Sequence, residues 1–415
     1  MDDSSKSADR VATRLDGGHV LPIPFPEFVG LTALLMALTA LSIDIMLPAL
    51  PAIGATYNLS DPNSPQLVLV CYLIGLALGQ VPFGPLSDRY GRKPMLLSGL
   101  ALYIVGTLGV LLSGSFFLLL VFRAVQGFGA AAPRVIAVAI VRDYFSGRTM
   151  ARVMSLVMMT FIVVPVIAPA LGQGLLVVGN WPSIFGFLLL IGCISLVWSL
   201  LRLPDRRSGE GRPKPIRMAT AVRMVLTSRV SVGYAMASGF IFGSLVSYIT
   251  SAQQVFVEIY RLGAAFPFVF GAVAAMMAIA SFTNSRMVQH YGMRRVSHCA
   301  LVGLSAASLL LVACAPFQPP LIVFAGLASV IFFSVGLIFP NFNAIAMQPL
   351  GSVAGMASSI IGFYTTASGA LFGWFVGNAF DGTVLPLAIG FAVLSVSALI
   401  TVRIAEGSNG LFRGD

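Results

Sequence analysis

Three charged residues lie inside long apolar stretches of this chain, and their types point to proton chemistry. Asp44, Arg123 and Arg134 are each flanked on both sides by hydrophobic residues. A charge inside a membrane segment costs roughly 2.5–3.5 kcal/mol on insertion scales, so such residues usually serve a function. Desolvation favours the neutral form of a carboxyl group, whereas a nearby arginine favours its ionised form. Asp44 is therefore the predicted proton carrier, and Arg123 is its predicted partner in proton coupling.

The expected depth of these residues leaves two interpretations open. At a helical rise of about 1.5 Å per residue, Asp44 and Arg123 should both lie about 9 Å below the membrane surface, where they could face each other. They form either a proton-coupling pair or a static ion pair that satisfies two buried charges. Arg134 follows Arg123 by about three helical turns on nearly the same face. It either lines a cavity, where it would favour acidic or carbonyl-bearing substrates, or extends to the lipid headgroups.

Aromatic and amide side chains in the other apolar segments are candidates for a substrate cavity. Such side chains suit bulky amphipathic ligands, because they combine a large apolar surface with a few polar groups. For each of them taken alone, ordinary packing within a helical bundle is the alternative. Besides Arg134, the predicted cavity residues are Gln126, Phe240, Tyr248, Phe339, Asn341, Phe363 and Tyr364.

Long membrane helices must position these residues. Hydrophobic residues make up 57% of the 415 residues and charged residues only 10%, which is the composition of an integral membrane protein. Lipid cannot satisfy free backbone groups, and continuous apolar runs rather than alternating strands favour helices over a barrel. About twenty residues cross the roughly 30 Å hydrocarbon core. The predicted fold class is an all-α integral membrane protein with twelve transmembrane helices in two six-helix halves.

The apolar runs and the polar breaks between them predict the organisation of the chain. A Pro-, Gly- and Arg-rich stretch in the middle reads as a solvated linker between the two halves. The predicted regions are a disordered cytoplasmic arm (1–27), a first six-helix bundle (28–203), a cytoplasmic linker (204–228), a second six-helix bundle (229–404) and a cytoplasmic tail (405–415).

Lysine and arginine concentrate on one side of the predicted membrane. They fall mainly in the two tails and in the connections that follow even-numbered segments, so both termini are expected to be cytoplasmic. The net charge of +10 follows from this topological bias, because no basic patch interleaved with aromatic residues is present. The chain is therefore expected in the cell inner membrane, in contact with lipid and not with nucleic acid.

The strongest motif is a short basic turn between the second and third predicted helices, where residues 84–94 read GPLSDRYGRKP. Its two glycines allow close backbone approach and a tight reversal, and Asp88 can accept hydrogen bonds from nearby arginines or from a helix N-terminus. A weak internal repeat maps Tyr90-Gly91 onto Tyr291-Gly292. The turn acts either as a conformational latch or only as a topological anchor. The predicted latch residues are Gly84, Asp88, Arg89, Gly91, Arg92 and Lys93.

Several motifs resemble one family of transporters. The turn is similar to the signature G-x-L-x-D-R-x-G-R-[KR] of the major facilitator superfamily. Residues 123–129 read RAVQGFG and resemble the R-x-x-Q-G-x-G element of the drug:proton antiporters in that family. Residues 44–51 read DIMLPALP and resemble the pattern D-x-x-L-P-A-L-P of the Bcr/CflA drug-resistance branch. The resemblance covers about 28–403, and it implies alternating access with Asp88 meeting the start of span eleven, at 352–356.

One antiporter motif is altered. The family usually carries G-P-x-x-G-G in span five, whereas residues 168–173 read APALGQ here. The predicted helix-kink motif is thus reduced to Pro169 and Gly172.

Other chemistries lack their residues. The cysteines and histidines do not cluster at metal-ligand spacing, so neither a metal, a cofactor nor a disulfide framework is expected. No phosphate-binding loop of the type GxxxxGK[ST] occurs, which excludes ATP-driven transport by this chain alone. The energy source must then be an ion gradient. No catalytic constellation is found in the spans, so the chain is not expected to be an enzyme.

The resemblance implies a proton-coupled secondary exporter of small lipophilic or amphipathic compounds, with multidrug or antibiotic efflux by alternating access. Its expected partners are a small-molecule substrate, protons and the bilayer, and a monomer is expected. Two alternatives with the same fold stay open, an exporter of an endogenous metabolite and an uncoupled facilitator. The facilitator predicts that Asp44→Asn leaves concentrative transport intact.

Overall fold

A computed structural model of the chain describes residues 23–145, 147–203, 218–407 and 410–412. These residues form helices and short connections. The predicted arm (1–27) is therefore described only from residue 23 onward, and most of the predicted linker lies outside the described residues, as do parts of the C-terminal tail. Twelve long helices follow one another: α1 (Phe25–Asp44), α2 (Leu67–Tyr90), α3 (Arg92–Leu111), α4 (Phe116–Tyr144), α5 (Gly147–Val178), α6 (Pro182–Arg202), α7 (Arg229–Gln253), α8 (Phe266–Tyr291), α9 (Met293–Cys314), α10 (Leu321–Met347), α11 (Ala354–Asn378) and α12 (Leu385–Glu406).

The long helices suit a bilayer. Eleven of them belong to helical stretches that are long and apolar enough to cross a membrane, and α5 contributes the shorter apolar stretch Val163–Val178, judged on the described residues alone. The predicted all-α membrane fold is thus confirmed. We refer to α1–α6 as the first half and to α7–α12 as the second half.

The first predicted span is not one helix. Helix α1 ends at Asp44, and a short 3-10 helix follows at Leu47–Ala49. Pro48 and Pro51 lie in this region, and proline lacks the N–H group that a helix interior requires. The chain then continues as the short helix Leu50–Thr56. The break places Asp44 at a helix end rather than in the middle of a span.

Two turns of similar geometry mark one end of the bundle. Gly91 joins α2 to α3 with a φ of 102°, and Gly292 joins α8 to α9 with a φ of 79°. Residues that carry a side chain rarely adopt such positive φ values, so glycine is needed at both positions. Arg92 follows Gly91 directly, and Arg294 follows Gly292 by two residues. We call this the basic end; the opposite end, where Asn63 precedes α2, is the Asn63 end.

The two halves meet along α2 and α11 and along α5 and α8. Gly84 on α2 lies so close to α11 that a Cβ atom there would be 2.4 Å from Ser359 Oγ. Further along the same helices, Gln80 Nε2 donates to Thr366 Oγ1 at 3.0 Å. A seam with polar residues and glycine therefore runs between the halves. Movement along this seam would change the shape of any cavity between them.

Candidate functional site

Arg123 lies fully buried on α4 and is surrounded by hydrogen-bond acceptors. Its Nε donates to the carbonyl oxygen of Val68 at 3.0 Å, and its Nη1 donates to Gln126 Oε1 at 2.6 Å. Its Nη2 donates to the carbonyl oxygen of Ser42 at 3.2 Å. The guanidinium also lies 4.5 Å from the ring centre of Tyr72, a cation–π distance. Arg123 thus ties α4 to α1 and α2.

The bonds of Arg123 continue into a buried polar chain. Gln126 Nε2 donates to Thr107 Oγ1 at 2.8 Å, and Thr107 in turn donates to the carbonyl oxygen of Tyr103 at 2.7 Å. The hydroxyl of Tyr103 lies 2.8 Å from Ser42 Oγ, on the same residue whose carbonyl accepts from Arg123. These hydrogen bonds therefore form a closed network that connects α1, α3 and α4. Buried networks of this kind are stabilising when every member is satisfied.

Glycines explain why α4 comes close enough for these bonds. A Cβ atom at Gly127 would lie 2.0 Å from the carbonyl oxygen of Tyr72, and one at Gly129 would lie 2.3 Å from the backbone nitrogen of Tyr103. Both distances are far below contact, so only glycine fits. The motif at 123–129 thus combines an arginine that bonds to neighbouring helices with glycines that let those helices approach.

Asp44 is buried like Arg123 but has a different environment. Its exposed fraction is 3%, and its Oδ1 has no hydrogen-bond partner among the described residues. The static ion pair with Arg123, one of the two interpretations that the sequence leaves open, is not found: among the described residues, no salt bridge joins the two side chains. Arg123 Nη2 instead contacts Met46 Sδ at 3.0 Å.

Helix α5 packs directly beside Asp44. A Cβ atom at Gly172 would lie 1.9 Å from the carbonyl oxygen of Ile45 and 3.1 Å from Pro48 Cγ. Gly172 therefore allows α5 to reach the break at the end of α1. Pro169 lies within α5, which runs without interruption from Gly147 to Val178. The retained glycine of the altered motif is thus a packing contact next to the buried carboxyl group.

The remaining predicted cavity residues of the first half differ in exposure. Gln126 was expected to face substrate, but both ends of its amide are engaged inside the bundle, so this interpretation is wrong for the present conformation. Instead, the amide oxygen of Gln126 accepts a hydrogen bond from Arg123. Arg134 is half-buried on α4, and its role in substrate binding stays a prediction.

In the second half, Tyr248 and Asn341 belong to the packed interior. Tyr248 is fully buried, with its ring centre 4.4 Å from that of Phe332, so it does not line an open space in this conformation. Asn341 Nδ2 donates to Asn284 Oδ1 at 2.7 Å.

The other predicted cavity residues of the second half are half-buried. Phe240 borders a groove of about 550 Å³ that is lined by residues of α7, α11 and α12. Phe339, Phe363 and Tyr364 stay predicted cavity residues.

The basic turn is held by its own charges. Arg92 contacts Asp88 at 2.6 Å and Asp143 at 2.9 Å, and Arg92 also donates to Ser87 Oγ at 2.7 Å. Asp88 thus pairs with Arg92 within the turn, and its contact with residues 352–356 stays a prediction. Gly84 supplies a contact between this helix and α11. The role of a latch stays a prediction.

The flanking charges of the turn are placed differently. The Arg89 guanidinium lies 5.3 Å from the ring centre of Tyr90, and Lys93 is half-buried. The latch role of both residues stays a prediction.

Sequence reasoning missed a charged cluster in the second half. Glu406 is buried, accepts a hydrogen bond from the Tyr234 hydroxyl and forms a salt bridge with Arg294 at 2.9 Å. Glu406 was assigned to the tail, but α12 continues to this residue. The signal that could have revealed it is the repeat itself, because Arg294 stands two residues after Gly292 as Lys93 stands two residues after Gly91.

Comparisons with known proteins agree with this architecture. The sequence profile of the Major Facilitator Superfamily matches residues 32–373. A protein named bicyclomycin resistance protein homolog, from Haemophilus influenzae, is 30% identical over 400 residues, which cover 93% of this chain and 98% of that protein. The multidrug resistance protein MdtL of Escherichia coli is 27% identical, and the match covers 90% of this chain and 94% of MdtL.

A solved structure shows the same fold. The xylose transporter XylE from E. coli, in a partially occluded inward-open conformation, superposes with a TM-score of 0.70 at 14% identity. The superposition covers 90% of this chain and 96% of that one. At this identity the likeness concerns the fold alone.

Proposed function

Because this chain belongs to the Major Facilitator Superfamily, we propose that it is a proton-coupled antiporter that exports small lipophilic or amphipathic compounds. Its family makes it a membrane transporter and not an enzyme. The recognition of the family and of its drug-resistance branch from the motifs at 44–51, 84–94 and 123–129 is confirmed by these relatives. The names of the two relatives refer to drug resistance, which supports the export of antibiotics or other drugs rather than their uptake.

The observation that carries the proposal of proton coupling is the state of Asp44. A buried carboxyl group that lacks a fixed partner is stable when neutral and costly when ionised. It can release its proton only when water or a cationic group reaches it. A transporter that exposes its interior to one side of the membrane at a time would give Asp44 such access alternately, which couples proton movement to the conformational cycle.

Arg123 has a positioning role in this proposal rather than a direct share in proton transfer. Its hydrogen bonds to the carbonyl groups of Ser42 and Val68 hold α1, α2 and α4 together in the region of Asp44. The contact between Gly172 and Ile45 fixes the same region from the side of α5. Asp44 can thus change its protonation state while these contacts hold the surrounding helices in place.

The driving force in this proposal is the proton gradient across the inner membrane, and the chain works as a monomer without a cofactor. The basic end, with its arginine-rich turns, faces the cytoplasm together with both termini. Substrate leaves at the Asn63 end as protons enter. Phe339, Phe363, Tyr364 and Arg134 are offered as the substrate contacts.

The proposal is tested by a panel of toxic lipophilic compounds in a bacterial host that lacks its own efflux pumps. Cells that express the native chain should tolerate at least one compound better and should accumulate less of it. Collapse of the proton gradient with an uncoupler should abolish the difference, and Asp44→Asn should behave like the empty vector at equal expression. Export that persists after collapse of the gradient would identify an uncoupled facilitator and overturn the proposal.

A further inference from the structure

The Asn63 end is closed by amide side chains that belong to different halves. Asn63 Nδ2 donates to the carbonyl oxygens of Asn378 at 3.1 Å and Phe380 at 3.2 Å, both at the end of α11. The Oδ1 atom of the same side chain accepts a hydrogen bond from Gln254 Nε2. One side chain of the first half therefore bonds to two segments of the second half.

The position of Asn63 is prepared by its neighbours. Asp61 Oδ1 accepts from the backbone nitrogen of Asn63 at 2.9 Å, and Asp61 Oδ2 accepts from Ser64 Oγ at 2.9 Å. Such a turn fixes the backbone locally. Gln254 begins a π-helical turn, Gln254–Ile259, and such turns are frequent at functional sites. Neither side of this contact is thus ordinary helix surface.

Gln66 carries the next side-chain amide along the chain, and unlike Asn63 it lacks hydrogen bonds. Gln66 is 3% exposed, and neither its Nε2 nor its Oε1 has a hydrogen-bond partner among the described residues. Its side chain is pressed against α11, since a Cβ atom at Gly377 would lie 1.9 Å from Gln66 Oε1. Burial of an amide without partners is unfavourable, and separation of the halves would let water reach it.

We propose that Asn63 and Gln66 form a two-part gate at the Asn63 end, in which Asn63 holds the halves together and the buried amide of Gln66 favours their separation. The opposed contributions keep the two states close in free energy, so that binding of substrate or of a proton can shift the population. The inference rests on the proposed function only for the identity of the transported species. The gate itself concerns any alternating cycle of this chain.

The test measures the separation of the halves at the Asn63 end by distance between two spin labels. The labels are placed at Leu112 and Phe317, which are 82% and 84% exposed and lie at this end of the first and second halves. The native cysteines are replaced beforehand. Asn63→Asp keeps the shape of the side chain but removes both donated hydrogen bonds, and Gln66→Met removes the amide at similar volume.

The two variants should move the distance distribution in opposite directions. Asn63→Asp should raise the ratio of separated to closed molecules about tenfold, as expected for the loss of two hydrogen bonds. Gln66→Met should lower that ratio and slow substrate export, and the double variant should lie between the two. The matched control Asn180→Ala, at an exposed asparagine of the same end, should leave the distribution unchanged.

Distinct outcomes overturn the gate and the proposed function separately. An unchanged distribution in Asn63→Asp, or a shift towards separation in Gln66→Met, would exclude the gate. Thermal unfolding of each variant in detergent identifies a folding defect, and Asn63→Ala then repeats the test without the added charge. Because the distance measurement needs neither substrate nor a proton gradient, a failure of proton coupling would leave its result intact.

Discussion

Asp44 and Arg123 are both buried charged residues of the first half, yet their surroundings differ completely. Arg123 is enclosed by acceptors from three segments, whereas Asp44 Oδ1 has no hydrogen-bond partner among the described residues. A satisfied charge is a fixed structural element, because any movement breaks several bonds. An unsatisfied carboxyl group is free to change its protonation state. The same sequence signal, a charge within a span, therefore marks two different roles.

Glu406 extends the comparison to the second half. Its carboxylate is held by Arg294 and by the Tyr234 hydroxyl, so it resembles Arg123 in being satisfied. The carboxyl group of Asp44 differs from that of Glu406 in the same way as it differs from Arg123. The absence of a partner at Asp44 is thus not a general property of acidic residues in this fold.

The largest expected effect on stability comes from Arg123→Met. The change removes the charged donor that bonds to the carbonyl oxygens of Ser42 and Val68 and to the Gln126 amide oxygen. Hydrogen bonds to charged groups contribute about 1.5–3 kcal/mol each, so the free energy of unfolding should fall by several kcal/mol. Thermal unfolding in detergent measures this. Asp44→Asn is the matched control and should change the free energy of unfolding by less than about 1 kcal/mol. A larger loss in Asp44→Asn than in Arg123→Met would reverse the comparison.

An intermediate effect is expected for Gln126→Leu. Arg123 then loses one acceptor but keeps the two backbone carbonyl groups, and Thr107 loses its contact with the amide. The free energy of unfolding should fall by about 1–3 kcal/mol, less than in Arg123→Met. The double variant should lose less than the sum of the two single variants, since both residues share one bond. Strict additivity, measured by the same thermal unfolding, would show that the network does not act as a unit.

The smallest effect is expected for Glu27→Gln, near the basic end. Glu27 Oε1 accepts from Arg202 Nε at 2.5 Å, but the Arg202 side chain is 49% exposed. Exposed ion pairs contribute about 0.2–1 kcal/mol, and salt screens them. The thermal unfolding temperature should therefore drop slightly at low salt and not at all at high salt. A loss of stability as large as that of Gln126→Leu would mean that burial does not determine how much a charged residue contributes to stability.

The sequence predicts the helices well, because long apolar runs and the signature at 84–94 are direct consequences of the membrane. The end of α1 at Asp44 was not predicted, although Pro48 and Pro51 provide a local signal for it. The partners of Arg123 could not be predicted, since two of them are backbone carbonyl groups, which are the same for every residue type. The bonds of Asn63 to Asn378 and Phe380 join residues far apart in the chain and depend on how the halves dock.

Proton release on substrate addition tests the central role of Asp44 most directly. Everted membrane vesicles are energised with a proton gradient, and a compound that the native chain exports is then added while the internal pH is recorded. The native chain should release protons from the vesicles, and Gln126→Leu should do so in proportion to its folded amount. Asp44→Asn should release none while it still binds the compound. Equal release from Asp44→Asn and the native chain would contradict the account.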